Sequence, residues 1–142
     1  MSIGLATARS VVDEALAVGR QHGFKPLTVV VLDAGGHVVA AAREDGASNN
    51  RFEIAHGKAY GALALGMGSR ALMERAEQQA YFISAAAAAL GGRLIPVPGG
   101  VIVRGDDGAV EGAVGISGDT SDNDETAAAK AIQAAGLTAQ VA

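Results

Sequence analysis

Three histidines, His22, His37 and His56, and no cysteines are available for chemistry in this chain. The missing cysteines exclude disulfides, thiolate metal sites and thiol nucleophiles together. No His-x-His or His-Glu-x-x-His spacing occurs, so the sequence writes no preformed zinc site. His22 falls at the end of a predicted helix, where an imidazole interacts favourably with the helix dipole. His37 follows a turn and reads as exposed. His56 falls on an apolar helical stripe. A histidine there is either a satisfied core group, a haem ligand or an acid–base residue.

Lys58 is a lone cation on a second apolar stripe of the same helix, with Ile54, Gly61 and Leu65. A buried lysine needs a carboxylate partner or has a depressed pKa. Two readings are open. Its stem is buried while the ammonium reaches water, or it is a pocket charge that holds a small acidic ligand or transfers a proton. In the catalytic form of the second reading, Lys58 and His56 act as general acid and base, with Asp124 or Glu125 orienting a partner. Gly99 and Gly100 then present N–H groups to an oxyanion, as in an isomerase, lyase or hydrolase of a catabolic pathway. A non-catalytic accessory or structural subunit is the remaining alternative.

Other polar groups have structural explanations. Asp119, Asp122, Asp124 and Glu125 gather where a last helix should begin, and Asp122 with Glu125 has capping-box spacing. Arg43 with Glu44 and Asp45 ends a strand, where a surface ion pair is ordinary. The segment GAVGISG at 112–118 lacks the Gly-Lys-Ser/Thr ending of a phosphate loop, and its glycine spacing is not that of a dinucleotide site. Its glycines are expected to let a helix or a neighbouring chain approach the strand closely.

The elements that must position these groups are organised around Leu27–Gly46. Leu27–Leu32 is an unbroken apolar run rich in β-branched residues, Asp33–Gly36 is turn chemistry, and His37–Arg43 returns as a second apolar strand. Neither strand alternates, so both faces should be covered and the hairpin should lie at the centre of a sheet. A helix over Ser2–Gly23 precedes it. After it, Asn50 is expected to cap a helix from about Arg51 to Leu65, with Glu53 completing a capping box. Ser69 can cap a polar helix, and Tyr81–Leu90 is an alanine-dense one ended by Gly91-Gly92. A second hairpin pairs Val101–Arg104 with Ala109–Ser117, and a helix opened by Asp122 or Asp124 runs to Gln133. The expected order is α-β-β-α-α-α-β-β-α, with room for a short strand near Leu94. This is an α/β (α+β) sandwich: a largely antiparallel sheet of two hairpins with helices packed on it.

Length and composition agree with one domain over residues 1–142 that buries a substantial core. The chain is 49% hydrophobic but only 4% aromatic, so close packing of small residues is expected, in a compact and oligomeric protein. A net charge of −4 argues against a nucleic-acid partner. The most apolar window, Ala80–Leu90, is 11 residues long, about half of the ~20 needed to cross a bilayer. Met1–Arg20 lacks the pattern of an export signal, so a cytoplasmic location is expected.

Several separated segments resemble one family. They are LTVVVLDAGGHVVAAAREDGA at 27–47, IAHGKAYGALALG at 54–66, PVPGGVIV at 96–103, and GAVGISG at 112–118 followed by Asp124-Glu125 and an alanine-rich helix. Together they resemble the GlcG/HbpS family, also called the haem-degrading domain or DUF336, which includes the C-terminal domain of PduO-type proteins. The resemblance spans nearly the whole chain. It implies the sandwich fold, a homo-oligomer (often a dimer-based octamer), and binding of haem or a corrinoid. With a tetrapyrrole, His56 is the axial-ligand candidate and Lys58 or Arg43 pairs with a propionate. Some family members are secreted haem or iron sensors, and others lie in glycolate, propanediol or aromatic-degradation operons. The family commonly has Gly-Gly-x-Pro-Ile where this chain has Gly99-Gly100-Val101-Ile102-Val103, without the proline.

Overall fold

The computed structural model describes all 142 residues. The elements are α1 (Leu5–His22), β1 (Thr28–Asp33), β2 (Val38–Arg43), α2 (Arg51–Leu65), α3 (Ser69–Gln78), α4 (Ala80–Ala89), β3 (Gly100–Arg104), β4 (Val110–Ser117), α5 (Ser121–Ala134) and β5 (Thr138–Gln140). The five strands form one sheet in the order β2-β1-β4-β3-β5, and every neighbouring pair is antiparallel.

Side chains alternate between the two faces of a strand, and here each face meets helices. Val29, Val31, Val101, Val103, Val114 and Ile116 point to one face, where Ala8, Val11 and Ala15 of α1 and Ala127, Ala131 and Ile132 of α5 cover them. Val30, Leu32 and Ala113 point to the other and meet Ala55 and Ala59 of α2. Both sides of β1 are therefore buried, as its unbroken apolar run requires. Outside α2, Leu72, Ile83 and Leu94 gather a small third cluster that joins α3 and α4.

The first hairpin is not at the centre of the sheet. β4 is the middle strand, and β2 is an edge strand whose residues are half-buried or exposed, with Val38 at 49%. Three of the six residues of β2 are alanines, and a small apolar side chain can meet water at little cost. An apolar run alone does not separate a central strand from such an edge.

Small residues set how closely α2 sits on the sheet. A Cβ added at Gly115 would overlap the carbonyl oxygen of Ala55, and one at Gly100 would overlap that of Lys58. The glycines of β4 thus allow a helix to approach, as expected. On its outer side, Gly57 and Gly61 of α2 pack against Ile95 and Leu94, which lie in an extended segment that forms no strand.

Three expected caps take other forms. Asn50 is already helical in backbone conformation and its side chain makes no capping bond, so the box with Glu53 does not form. Thr120, not Asp122 or Asp124, caps α5, and its Oγ1 accepts the Asn123 N–H at 3.2 Å. Gly68 occupies the cap position of α3, and the Ser69 hydroxyl instead accepts the Gly100 N–H at 2.7 Å. The short β5, which follows Gly136 and pairs with β3, was not anticipated.

Candidate functional site

Lys58 points from α2 to the C-terminal end of β4. Its Nζ donates to the Ile116 carbonyl oxygen at 2.9 Å and to Asp124 Oδ2 at 3.2 Å. Asp124 comes from the first turns of α5, and its other oxygen accepts the Asp119 N–H at 3.0 Å. The side chains are 2% and 1% exposed. Burial pulls the Lys58 ammonium below its ordinary pKa and pushes the Asp124 carboxyl up, and the mutual attraction of the two charges opposes both shifts. The pair is therefore a buried ion pair between α2 and α5, with Ile116 of the sheet as a third member. The snorkelling alternative does not hold, because the ammonium has a carboxylate partner and does not reach water.

Gly99 and Gly100 pack on this pair: a Cβ at Gly99 would stand 2.8 Å from Lys58 Nζ. Their expected oxyanion role meets an obstacle, since the Gly100 N–H already donates to Ser69 Oγ at 2.7 Å. Glu125 faces away from Lys58 and pairs with Arg70 Nε at 3.0 Å, beside Asp122. The acidic cluster thus divides. Asp124 goes inward, Asp122 and Glu125 bind Arg70, and Asp119 accepts the Lys25 N–H at 2.8 Å. None of the four surface cavities is lined by Lys58, Asp124, Gly99 or Gly100.

His56 occupies a different face of α2 from Lys58. It is half-buried between Phe52 and Tyr60, with ring centroids 5.9 Å and 5.5 Å away and planes tilted by 23° and 22°. These residues recur every four positions, so their rings stack along one side of the helix. Arg93 lies over the Tyr60 ring, 4.1 Å from its centroid. Partial burial lowers the His56 pKa below 6.5, and the nearby Arg93 charge adds to that. Both effects favour the neutral imidazole, and no protein group hydrogen-bonds to it.

His56 and Lys58 are thus not brought together as an acid–base couple; two positions along the helix put them on separate faces. Arg43 is distinct from both. Its Nη1 donates to the Ala47 carbonyl at 2.9 Å, and it lines a cavity of about 440 Å³ with Arg20, Phe24, Pro26, Glu44 and Asp45. It forms no ion pair with Glu44 or Asp45; Glu44 instead approaches Arg20 at 3.7 Å. The cation beside His56 is Arg93, which the sequence does not single out, since it follows a Gly-Gly helix end with no recognisable motif. No helix is long and apolar enough to cross a membrane.

Fold and site define a three-layer α/β/α sandwich with an aromatic-flanked histidine on one outer helix. Residues 3–133 match the family described as "Haem degrading protein HbpS-like", and the chain belongs to that family. Among solved structures, the PduOC:heme complex is similar with a TM-score of 0.86 and 24% identity, over 96% of this chain and 97% of that one. The Klebsiella pneumoniae protein ORFY follows at 0.85 and 25%, over 94% and 90%. A double mutant of Streptomyces reticuli HbpS superposes at 0.78 and 24%, over 94% and 86%. No curated protein matches the sequence significantly.

Proposed function

We propose that this protein binds haem or a related tetrapyrrole on the outer face of α2, where His56 would hold its metal. The observation that carries the reading is the setting of His56: half-buried, flanked by Phe52 and Tyr60, and free of protein hydrogen bonds, with burial favouring its neutral form. Family membership and the haem complex of PduOC support it. The donor set suits the ligand. A neutral imidazole binds iron, aromatic faces accept a flat apolar ring, and Arg93 supplies a cation for a propionate. Bound haem would contribute a redox-active iron; the chain's own part is to hold and orient it.

The cavity nearest these residues, beside Tyr60 and Leu63, measures only about 120 Å³, well below the ~300 Å³ at which small-molecule pockets begin. A tetrapyrrole on His56 would therefore be covered on its outer side by a second subunit. Homo-oligomerisation is part of the proposal for that reason. Lys58 and Asp124 would then serve the site indirectly, by holding α2 against α5 and the sheet.

The test is an absorbance titration with haemin, alongside the oligomeric mass from light scattering. The expected result is a saturable Soret band at a fixed stoichiometry that His56→Ala removes while the far-ultraviolet circular dichroism is unchanged. A flat titration of the well-folded oligomer, or an unaltered Soret band in the variant, would overturn the assignment.

A further inference from the structure

Another cavity, of about 230 Å³, opens at the end of the sheet where the α1–β1, β2–α2 and β4–α5 connections meet. Lys25, Ser48 and Arg51 line it, with backbone from Gly46 and Gly118, and no carboxylate does. Neither Lys25 nor Arg51 takes part in an ion pair. Arg51 is half-buried and held in place, because its Nη1 donates to Ser117 Oγ at 3.0 Å. The rest of its guanidinium edge keeps its donors. Thr28 lies directly across from Ser117 in the β1–β4 ladder, and its buried hydroxyl has no partner. Side chains at paired positions share a face, so a polar group without a partner lies beside the anchor of Arg51.

Asp119 lies close enough to feel the Lys25 charge but forms no ion pair with it: one oxygen accepts the Lys25 backbone N–H at 2.8 Å, and the other accepts the Thr120 N–H and the Asn123 amide. Glu44 and Asp45 line the neighbouring cavity together with Arg20 and Arg43. Lys58 does not line the cavity, and its charge is matched by Asp124. In a chain of net charge −4, a cavity with two unpaired cations and no acid is a local exception.

We infer that this cavity is a binding site for a small oxyanion, a carboxylate or a phosphate, held by Arg51 and Lys25 with Ser48 donating a hydroxyl. Fixed guanidinium donors suit the planar or tetrahedral oxygens of such groups. At about 230 Å³ the cavity is below the ~300 Å³ of drug-sized pockets, so it has room for one oxyanion group and not for a dinucleotide. The site is independent of His56, which lies further along α2, so it does not rest on the tetrapyrrole reading.

The test is an amide NMR titration of the full chain at constant ionic strength, with inorganic phosphate in one series and oxalate in another, and chloride as control. Saturable shifts confined to Gly46, Ser48, Arg51 and Gly118 are expected. Lys25→Gln and Arg51→Gln should each weaken binding about tenfold or more, the loss of one charge-assisted hydrogen bond. Tighter binding of phosphate would identify a phosphorylated ligand; tighter binding of oxalate would identify a carboxylate. Shifts that do not saturate with either anion, or that persist unchanged in Lys25→Gln, would overturn the proposal. Lys25 is exposed, so that variant decides the matter even where Arg51→Gln unfolds. His56→Ala should bind the anion normally, which separates failure here from failure of the haem assignment.

Discussion

Replacing Lys58 with methionine keeps most of the unbranched stem and removes the terminal ammonium with its charge and donors. Asp124 would then be left 1% exposed with backbone N–H donors but no counter-ion. Breaking one partner out of a buried ion pair costs about 3–5 kcal/mol, because the remaining charge cannot regain its hydration. Against a total stability of about 5–15 kcal/mol for a domain, that is a large share. The assay is equilibrium urea unfolding at pH 7, at one protein concentration and with the oligomeric mass measured alongside, because association would add to apparent stability.

Two further results separate a buried pair from a generally damaged core. The double variant Lys58→Met, Asp124→Leu should recover much of the loss, since removing both charges leaves none to desolvate. The deficit of Lys58→Met should also shrink on acidification. Burial already raises the Asp124 pKa above 3.8 in the folded protein, and loss of the ammonium raises it more. With a raised folded pKa, the native state holds a proton that the unfolded chain has lost, so stability falls as pH rises through that window and returns as pH drops toward 3.8. A loss under about 1 kcal/mol in Lys58→Met would refute the reasoning, because that magnitude belongs to exposed pairs.

Two other expectations follow from the packing and from His56. Gly115→Ala should destabilise the protein by about 1–3 kcal/mol or more in the same unfolding assay, because its Cβ would overlap the Ala55 carbonyl and push α2 off the sheet. The pH profile of haemin binding should be displaced to acid: the His56 pKa lies below 6.5, so the neutral, ligating imidazole persists as pH falls past that value. A Soret titration that lost half its signal above pH 6.5 would contradict the placement of His56.

Most of the architecture was legible because strand and helix signals were long and locally consistent. The helix from Arg51 to Leu65 appears with the expected bounds, and both hairpins formed. The position of β2 was not legible, since an edge strand of alanines and valines has the same composition as an interior one. β5 is only three residues long and carries too little pattern to be seen. At the site, a lone lysine among apolar residues correctly signalled an unusual environment. Its partner could be narrowed only to Asp124 or Glu125, because which of them turns inward depends on where α5 begins. Thr120 takes the cap, and that rotates Asp124 toward Lys58 and leaves Asp122 and Glu125 for Arg70. Arg93 and Lys25 were invisible, because their roles come from loops folded against α2 and β4.

Helix α2 carries all of these features on different sides. Ala55 and Ala59 meet the sheet, Lys58 reaches its end, His56 faces outward, and Arg51 opens onto the cationic cavity. The helix sits directly on Gly100 and Gly115, so it has little freedom to tilt without a steric clash. Substitutions at His56 or Lys25 should therefore act locally and report on one ligand each. A change at Lys58 or Gly115 displaces the helix as a body, and should weaken haemin and oxyanion binding together. That contrast gives each binding test its internal control. Coupled losses mark a displaced α2, whereas a single loss marks a residue that touches the ligand.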